Sequence, residues 1–259
     1  MVLKRGSKGA AVADLQRLLK ITADGDYGSS TEKAVIAFQR KAGLVADGAA
    51  GPRTLDTLRA GERNGKALTE SDIANAAERL GVSASHVRAV CAVESDGSGF
   101  MSDGRPDVLF ERHVFYQRLK AAGRDVADLA ARFPNLVAAK RGGYAGGVAE
   151  WGRLNSATTI DRAIAFESAS WGLFQIMGYH WRNLGYDSAE HFAERMQSDE
   201  GEHLAAFVRF VEKAPMMLRA LRESRWAAFA RLYNGPAYSE NLYDAKLAAA
   251  FAKAERLAK

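Results

Sequence analysis

Residues 1–60 contain an imperfect internal repeat that strongly constrains how this segment folds. The pattern D-G-x-x-G-x-x-T occurs at residues 24–31 and again at residues 47–54. An Asp-Gly pair favours a tight turn, because Gly adopts positive φ at little steric cost. Thr is a preferred helix N-cap, and apolar residues at helical spacing follow each unit. The repeat therefore predicts a module of three short helices in which each Thr caps a helix.

The composition is that of an ordinary globular protein. Of 259 residues, 47% are hydrophobic and 26% are charged, which suits one large domain or two smaller ones. No apolar run reaches the length of about 20 residues that crosses a bilayer, and the first residues lack the apolar stretch of a signal peptide. The single cysteine, Cys91, excludes an intrachain disulfide and a cysteine-based zinc site. We expect a soluble protein, made in a reducing compartment, that uses no metal or cofactor.

The positive charge is concentrated near the N-terminus. The formal net charge is +5, and the isoelectric point is about 9.3. Residues 1–60 hold ten basic and six acidic groups, a balance of +4, and the other 199 residues hold 26 and 25, a balance of +1. A basic module attached to a nearly neutral body favours an anionic polymer as partner. Nucleic acid and bacterial cell wall both fit, and charge alone does not choose between them.

A short polar segment divides the chain. Residues 61–66 carry charged residues and glycines, a composition typical of linkers. We predict a module over residues 1–62, a linker over 63–68 and a larger domain over 69–259. Thr69 and Asp72 have the spacing of a capping box, and helical periodicity continues from there almost to the end of the chain. No sustained strand alternation is present, so the predicted fold class is all-α.

The most informative helix runs from residue 83 to residue 95. Its predicted buried stripe comprises Val87, Val90 and Cys91. Glu94 continues this face at the C-terminal end of the helix, and a glycine-containing segment follows that opens space beside it. Apolar surroundings and the negative end of the helix dipole both disfavour a carboxylate, so the pKa of Glu94 should rise into the range of a general acid. The alternative is a Glu at a frayed helix end, bonded to a nearby Arg.

The first 60 residues resemble the peptidoglycan-binding domain 1 family. The two repeat units agree with its turns, and further matches are R-G-S-K-G at residues 5–9, Leu15-Gln16, Ala34-Val35, Phe38-Gln39 and Gly43-Leu44. The resemblance implies that the module grips cell-wall glycan or stem peptide. The matching residues are those of a fold signature, so they nominate no ligand contact.

Three ordered motifs in the larger domain resemble the lysozyme superfamily. They are V-E-S at residues 93–95, S-W-G-L-F-Q-I-M at residues 170–177 and L-Y-N-G-P at residues 232–236. The domain is most similar to the N-acetylmuramidase domain of modular phage endolysins, which also carries F-E-x-H-x-F, here at residues 110–115. The resemblance spans roughly residues 70–259. It implies an endolysin that cleaves the β-1,4 bond between N-acetylmuramic acid and N-acetylglucosamine and so lyses the host cell.

The resemblance also implies roles for individual residues. Glu94 would protonate the glycosidic oxygen, and Gln175 would hydrogen-bond sugar or position water. Tyr233 and Asn234 would line the cleft near the acid, and Trp171 is the best candidate for an aromatic ring that stacks on a sugar. Each also has a structural interpretation: a backbone cap for Gln175, a core ring for either aromatic residue, and a turn for Asn234.

A glycosidase normally uses a second carboxylate. We choose Glu111 as the partner of Glu94, because it lies in the family motif and shares a helical face with two apolar residues. Glu167 is the next candidate. The wider set of candidates also includes Asp96, Asp103 and Asp107. If none serves, the N-acetyl group of the substrate acts as nucleophile and leaves an anhydro sugar, as in lytic transglycosylases. The sequence leaves both outcomes open.

Rival functions have weaker support. The five histidines show no H-E-x-x-H spacing, which argues against a zinc amidase, and Cys91 lies on an apolar stripe, where a thiol is usually inert. A non-enzymatic wall-binding or nucleic-acid-binding protein would leave the three ordered motifs unexplained, and no nucleic-acid-binding motif is present. The C-terminal helix has a weak cationic bias that would suit an anionic outer membrane, or it packs on the catalytic domain. We expect a monomer, made without a signal peptide, that acts on the wall in the periplasm after release.

Overall fold

The computed structural model describes residues 2–60, 66–94, 98–101 and 103–258. These residues are mostly helical, which confirms the predicted fold class. The chain divides into two compact units, one formed by Met1–Ser98 with Ala214–Lys259 and the other by Gly99–Lys213. No helix in the described ranges is both long enough and apolar enough to cross a membrane.

The division into units does not follow the predicted domains, because the last 46 residues return to the unit that contains the N-terminus. The predicted boundaries at residues 62 and 69 stay a prediction, and residues 63–65 of the predicted linker lie outside the described residues. Ala67 and Leu68, at the end of that predicted linker, are buried.

The N-terminal module consists of the three predicted helices, α1 (Ala10–Leu18), α2 (Ser29–Lys41) and α3 (Pro52–Ala60). Residues from helices and turns form one small core, with Leu3, Val12, Leu15, Tyr27, Val35 and Ala50 buried in it. The Tyr27 hydroxyl donates to the carbonyl oxygen of Gly48 at 3.1 Å, which joins the two repeat units.

A buried glutamine from the preceding helix holds each repeat unit. The Gln16 amide donates to Asp24 Oδ1 at 2.7 Å and to Thr31 Oγ1 at 2.9 Å, and its carbonyl oxygen accepts from the Gly25 N–H at 2.9 Å. Gln39 makes the matching bonds in the second unit, to Asp47, Thr54 and Gly48. Each turn is therefore organised around one buried amide.

The predicted capping role of the repeat threonines is wrong. Helix α2 has Gly28 as its N-cap, without a side-chain capping bond, and Thr31 lies buried in the first turn. Its hydroxyl accepts from Gln16 and donates to the carbonyl oxygen of Asp26 at 3.3 Å. Thr is a residue type that suits a helix N-cap, but the hydroxyl oxygen of Thr31 accepts a hydrogen bond from the buried Gln16 instead.

Two helices complete the first half of this unit, α4 (Glu70–Leu80) and α5 (Ala84–Glu94). The predicted capping box is confirmed: the Thr69 hydroxyl accepts from the Asp72 N–H, and the Asp72 carboxylate accepts from the Thr69 N–H at 2.8 Å. Helix α4 ends at Gly81, whose φ of 65° lies in the left-handed region that favours glycine.

The second unit combines helices with a small antiparallel sheet. Its strands are β1 (Val108–Phe110), β2 (Ala169–Trp171) and β3 (Ile176–Met177), and β2 lies in the middle. Its helices are α6 (Arg112–Ala121), α7 (Val126–Arg132), α8 (Ala149–Thr158), α9 (Arg162–Glu167), α10 (Ala189–Ser198) and α11 (Glu200–Glu212), with a 3₁₀ turn at Gly178–His180. Strands of two or three residues are too short to show alternation, so the sequence did not predict this sheet.

The chain then returns to the first unit through α12 (Pro215–Arg222), α13 (Trp226–Asn234), a 3₁₀ segment at Pro236–Asn241 and α14 (Tyr243–Ala258). Helix α14 packs along α5 and also contacts α13. Leu247 and Ala254 of α14 are buried in this packing. The end of α5, the end of α13 and the start of α14 thereby frame one site.

Candidate active site

Glu94 is the last residue of α5, as the sequence periodicity predicts. Val87, Val90 and Cys91 on the same helix are buried, with 1%, 1% and 6% of their surfaces exposed. The side chain of Glu94 is half-buried, and burial raises the pKa of its carboxyl group to about 7, against an ordinary value of 4.5. The predicted rise is thus present, and its main cause is the loss of water around the carboxylate.

Tyr243, the first residue of α14, donates a hydrogen bond from its hydroxyl group to Glu94 Oε1. This bond favours the carboxylate and partly opposes the effect of burial on the pKa of Glu94. Asn234, the last residue of α13, hydrogen-bonds the Tyr243 side chain. The three side chains form a chain of polar contacts across the ends of three helices.

Tyr233 is close enough to Glu94 for the two side chains to interact electrostatically. Burial and the negative charge of Glu94 hold the pKa of Tyr233 well above its usual range, as they do for Tyr243. The Tyr233 ring stacks on Phe229, with centroids 5.9 Å apart. The structure therefore brings Tyr233 and Asn234 together with Glu94 and adds Tyr243, while the predicted role of Tyr233 and Asn234 in lining a substrate cleft stays a prediction.

Tyr243 was not among the predicted site residues. It is 149 residues from Glu94 in the chain, and helical periodicity reports only neighbours within a few turns. The available signal was its position at the start of the last helix, shortly after the Y-N-G-P motif.

This arrangement suits proton donation near neutral pH. A carboxyl group with a pKa of about 7 is protonated in a large fraction of molecules at that pH, whereas an ordinary Glu is almost fully ionised. The neighbouring tyrosines stay neutral, because the pKa of each is raised. In the described part of the chain, no group of three His, Cys, Asp or Glu side chains is arranged to hold a metal ion.

Trp171 is in the core, which corrects the prediction that it lines the cleft. Only 1% of its surface is exposed, and its ring makes edge contacts with Trp151, Phe166 and Phe192. Its indole N–H donates to the carbonyl oxygen of Phe166 at 3.1 Å. A sugar ring cannot stack on a side chain enclosed in this way, so Trp171 supports the sheet.

Gln175 is exposed in the turn between β2 and β3, with a φ of 48°. Its amide donates to the carbonyl oxygen of Gly172 at 2.9 Å, and its carbonyl oxygen accepts from the Ser170 hydroxyl at 2.7 Å. These bonds match the predicted structural interpretation, a backbone cap. Its sugar contact stays a prediction.

Glycine is required at position 172 by His203. A Cβ there would lie 2.7 Å from the His203 ring, and φ at Gly172 is 67°. The His203 Nδ1 atom accepts from the Leu173 N–H at 3.1 Å. The glycine of the G-L-F-Q-I motif therefore has a packing function.

Glu111 belongs to the second unit and is 6% exposed at the start of α6. Its carboxylate accepts from the Tyr144 hydroxyl at 2.9 Å and lies 3.1 Å from His113 Nδ1 and 3.5 Å from an Arg141 nitrogen. The predicted burial is present, and the surrounding donors favour a fixed carboxylate.

The other candidates for a second carboxylate have different surroundings. Glu167 accepts from Arg118 and from the Trp181 indole N–H at 2.7 Å, and Asp103 pairs with Arg105. Burial raises the pKa of Asp107, against an opposing hydrogen bond from a backbone N–H. Asp96 lies outside the described residues.

The apolar face of the C-terminal helix packs inside the protein. The buried residues of α14 face α5, in agreement with the prediction that this helix packs on the catalytic part. Its contact with an outer membrane stays a prediction.

Each of the two predicted parts of the chain matches a known protein family. Residues 83–255 match the N-acetylmuramidase family, and residues 8–58 match the family described as a putative peptidoglycan binding domain. Two amidases from Bacillus licheniformis, a probable N-acetylmuramoyl-L-alanine amidase and the amidase CwlL, are each 42% identical over 79 and 67 residues. These alignments cover 27% and 23% of this chain, and the chain spans only 22% and 19% of the two amidases.

A solved structure is similar over nearly the whole length. The crystal structure of the endolysin of the Burkholderia phage AP3 is 52% identical in sequence and superimposes with a TM-score of 0.93. The similarity covers 99% of this chain and 100% of the endolysin chain. The muramidase match covers two thirds of the chain, and the match to the peptidoglycan-binding family precedes it. The chain therefore belongs to the N-acetylmuramidase family of peptidoglycan hydrolases, in the modular form of phage endolysins.

Proposed function

We propose that this endolysin hydrolyses the β-1,4 bond between N-acetylmuramic acid and N-acetylglucosamine, with Glu94 as the general acid. One observation carries the proposal: a carboxyl group at the end of a buried helix face, with a pKa raised to about 7 by burial. Peptidoglycan is the substrate that the two matched families imply.

In this mechanism, the protonated Glu94 donates its proton to the glycosidic oxygen as the bond to the sugar breaks. Positive charge then develops on the sugar, and the carboxylate that remains near it is stabilising. The Tyr243 hydroxyl, held by Asn234, donates to that carboxylate and fixes its orientation. Tyr233 contributes an uncharged wall, which preserves the low polarity that keeps the acid protonated.

Glu111 remains our candidate for the second carboxylate. Its burial, the hydrogen bond from the Tyr144 hydroxyl and the nearby Arg141 would hold the carboxyl group in place for activating water. The alternative, attack by the substrate's own N-acetyl group, would yield anhydro ends instead. Glu111→Gln should lower kcat by about 10²-fold or more with little change in KM if the carboxylate activates water. An unchanged kcat would exclude that role.

The test of the general acid is Glu94→Gln, which keeps the shape of the side chain but cannot donate the same proton. Turnover of purified peptidoglycan should fall by about 10²- to 10⁴-fold, because proton transfer by a positioned group contributes this much. Glu78→Gln, an exposed Glu on α4, is the matched control and should retain full turnover. Turnover by the Glu94→Gln variant at the rate of the parent protein would refute the proposal.

Product analysis tests which bond is cleaved. Mass spectrometry of digested peptidoglycan should find new reducing ends on N-acetylmuramic acid. Anhydro ends would assign the lytic transglycosylase reaction, and reducing ends on N-acetylglucosamine would assign the other glycosidic bond. Released stem peptides without glycan cleavage would refute a glycosidase altogether.

A further inference from the structure

A cavity of about 620 Å³ lies in the first unit, and Glu94 is not among the residues that line it. One wall comes from the N-terminal module, at residues 44–47 and around Arg53. The opposite wall comes from α14 and from Cys91, Ala92 and Val93 of α5. Its volume is within the range of about 300–1,000 Å³ that is typical of small-ligand sites.

Polar bonds hold the two walls together, so the cavity is a feature of the folded unit. The Glu70 carboxylate accepts from the Ala46 N–H of the module at 2.8 Å and pairs with Arg88 of α5. Lys253 of α14 lies 3.8 Å from Glu32 of the module. The module therefore shares its cavity with the helix that ends at Glu94.

The lining combines apolar surface with positive charge. Small and aliphatic side chains line much of it: Leu44, Leu68, Ala249, Ala250 and Leu257. Five cationic residues line it as well: Lys4, Arg53, Arg88, Lys246 and Lys253. Asp47 is the acidic residue of the lining, and its carboxylate already accepts from the Gln39 amide and the Ala49 N–H.

Lys4 and Lys246 have no carboxylate partner in the described part of the chain. Arg88 is paired with Glu70 and Lys253 lies near Glu32, but Lys4 and Lys246 are exposed and make no ion pair there. An unpaired ammonium on each wall, above apolar surface, suits a ligand that carries carboxylates and small methyl side chains.

We propose that this cavity binds the stem peptide of peptidoglycan, whose free carboxylates and alanine methyl groups match both parts of the lining. The inference rests on the proposed function, because it assumes that peptidoglycan is the polymer bound. It assigns part of wall recognition to α14, outside the N-terminal module. It also places the bound peptide against α5, the same helix that carries the general acid.

Binding of a sugar-free stem tetrapeptide to the full chain, measured by titration calorimetry, tests the site. Lys246→Glu should weaken binding by about tenfold or more, because it replaces an attractive charge with a repulsive one. Lys33→Glu is the matched control, since it makes the same charge change at an exposed position in the module that does not line the cavity. That control should bind the peptide like the parent protein.

A second variant tests the cavity without changing charge. Ala249 is exposed on α14, so Ala249→Trp should fill the space with little effect on the core, and it should also abolish peptide binding. Three results would each refute the proposed site: equal peptide affinity in all variants, no saturable binding at millimolar peptide, or displacement of the peptide by chitotetraose.

Turnover of peptide-free glycan strands separates this inference from the proposed function. Lys246→Glu and Ala249→Trp should leave that turnover unchanged, because the site around Glu94 is formed by Tyr233, Asn234 and Tyr243. Normal turnover without peptide binding would refute the cavity site and leave the glycosidase in place. Peptide binding without glycan cleavage would refute the glycosidase instead.

Discussion

Tyr243→Phe gives the sharpest test of how this site sets its pH range. The substitution removes the hydroxyl group that donates to Glu94 Oε1 and keeps the ring. Burial remains the dominant effect on the pKa of Glu94, and the bond that opposes it is lost. The pKa of Glu94 should therefore rise further.

The magnitude follows from the bond. A hydrogen bond to a charged group contributes about 1.5–3 kcal/mol, and one pKa unit corresponds to about 1.36 kcal/mol. Loss of the bond should raise the pKa of Glu94 by about one to two units. A general acid acts in its protonated form, so activity is lost as pH rises through this pKa. The alkaline limb of the pH profile should therefore move to higher pH by about one to two units.

The assay is kcat/KM on soluble peptidoglycan fragments between pH 5 and pH 10. Tyr238→Phe is the matched control, because it removes a hydroxyl group from the preceding 3₁₀ segment, whereas the side-chain hydrogen bond that shifts the pKa of Glu94 comes from Tyr243. Its alkaline limb should coincide with that of the parent protein. An alkaline limb in Tyr243→Phe that stays in place, or moves to lower pH, would refute the reasoning.

Two further predictions concern stability. The folded pKa of Glu94 is about 7 against an ordinary 4.5, so the folded protein loses stability as pH rises from about 4.5 to about 7. Glu94→Gln should remove this loss, about 3 kcal/mol, and urea unfolding at pH 5 and pH 8 should show a pH dependence that is weaker by this amount. Trp171→Ala should lower the unfolding free energy by about 3–5 kcal/mol, because it empties a core site, while KM of the folded fraction stays the same. An increase in KM without a decrease in the unfolding free energy would instead indicate that Trp171 lines the cleft.

The features that the sequence predicted are those with local causes. The position of Glu94 on a buried face follows from a repeat of three and four residues within one helix. The three helices of the module follow from turn and helix signals only a few residues apart. The capping box at Thr69 is likewise contained within four residues.

The features that the sequence did not predict depend on distant partners. Tyr243 reaches Glu94 only because α14 packs on α5, which no local pattern indicates. The hydroxyl of Thr31 is taken by Gln16, 15 residues earlier, so a residue suited to a cap does not serve as one. Trp171 lies in a strand with both neighbours buried, and its place beside a motif glycine does not tell which way its ring points.

Tyr233, Asn234 and Tyr243 surround Glu94, and none of them changes its charge near neutral pH. Asn234 does not titrate, and the raised pKa values of Tyr233 and Tyr243 keep both neutral, so among these four side chains only Glu94 changes its charge near neutral pH. The titration of Glu94 accounts for the loss of activity at alkaline pH, and it does not account for a loss of activity at acid pH. An acid limb in kcat/KM would therefore report a carboxylate elsewhere, and its loss in Glu111→Gln would identify that residue. Attack by the substrate's N-acetyl group needs no such carboxylate, so it predicts a profile with an alkaline limb alone, together with anhydro products.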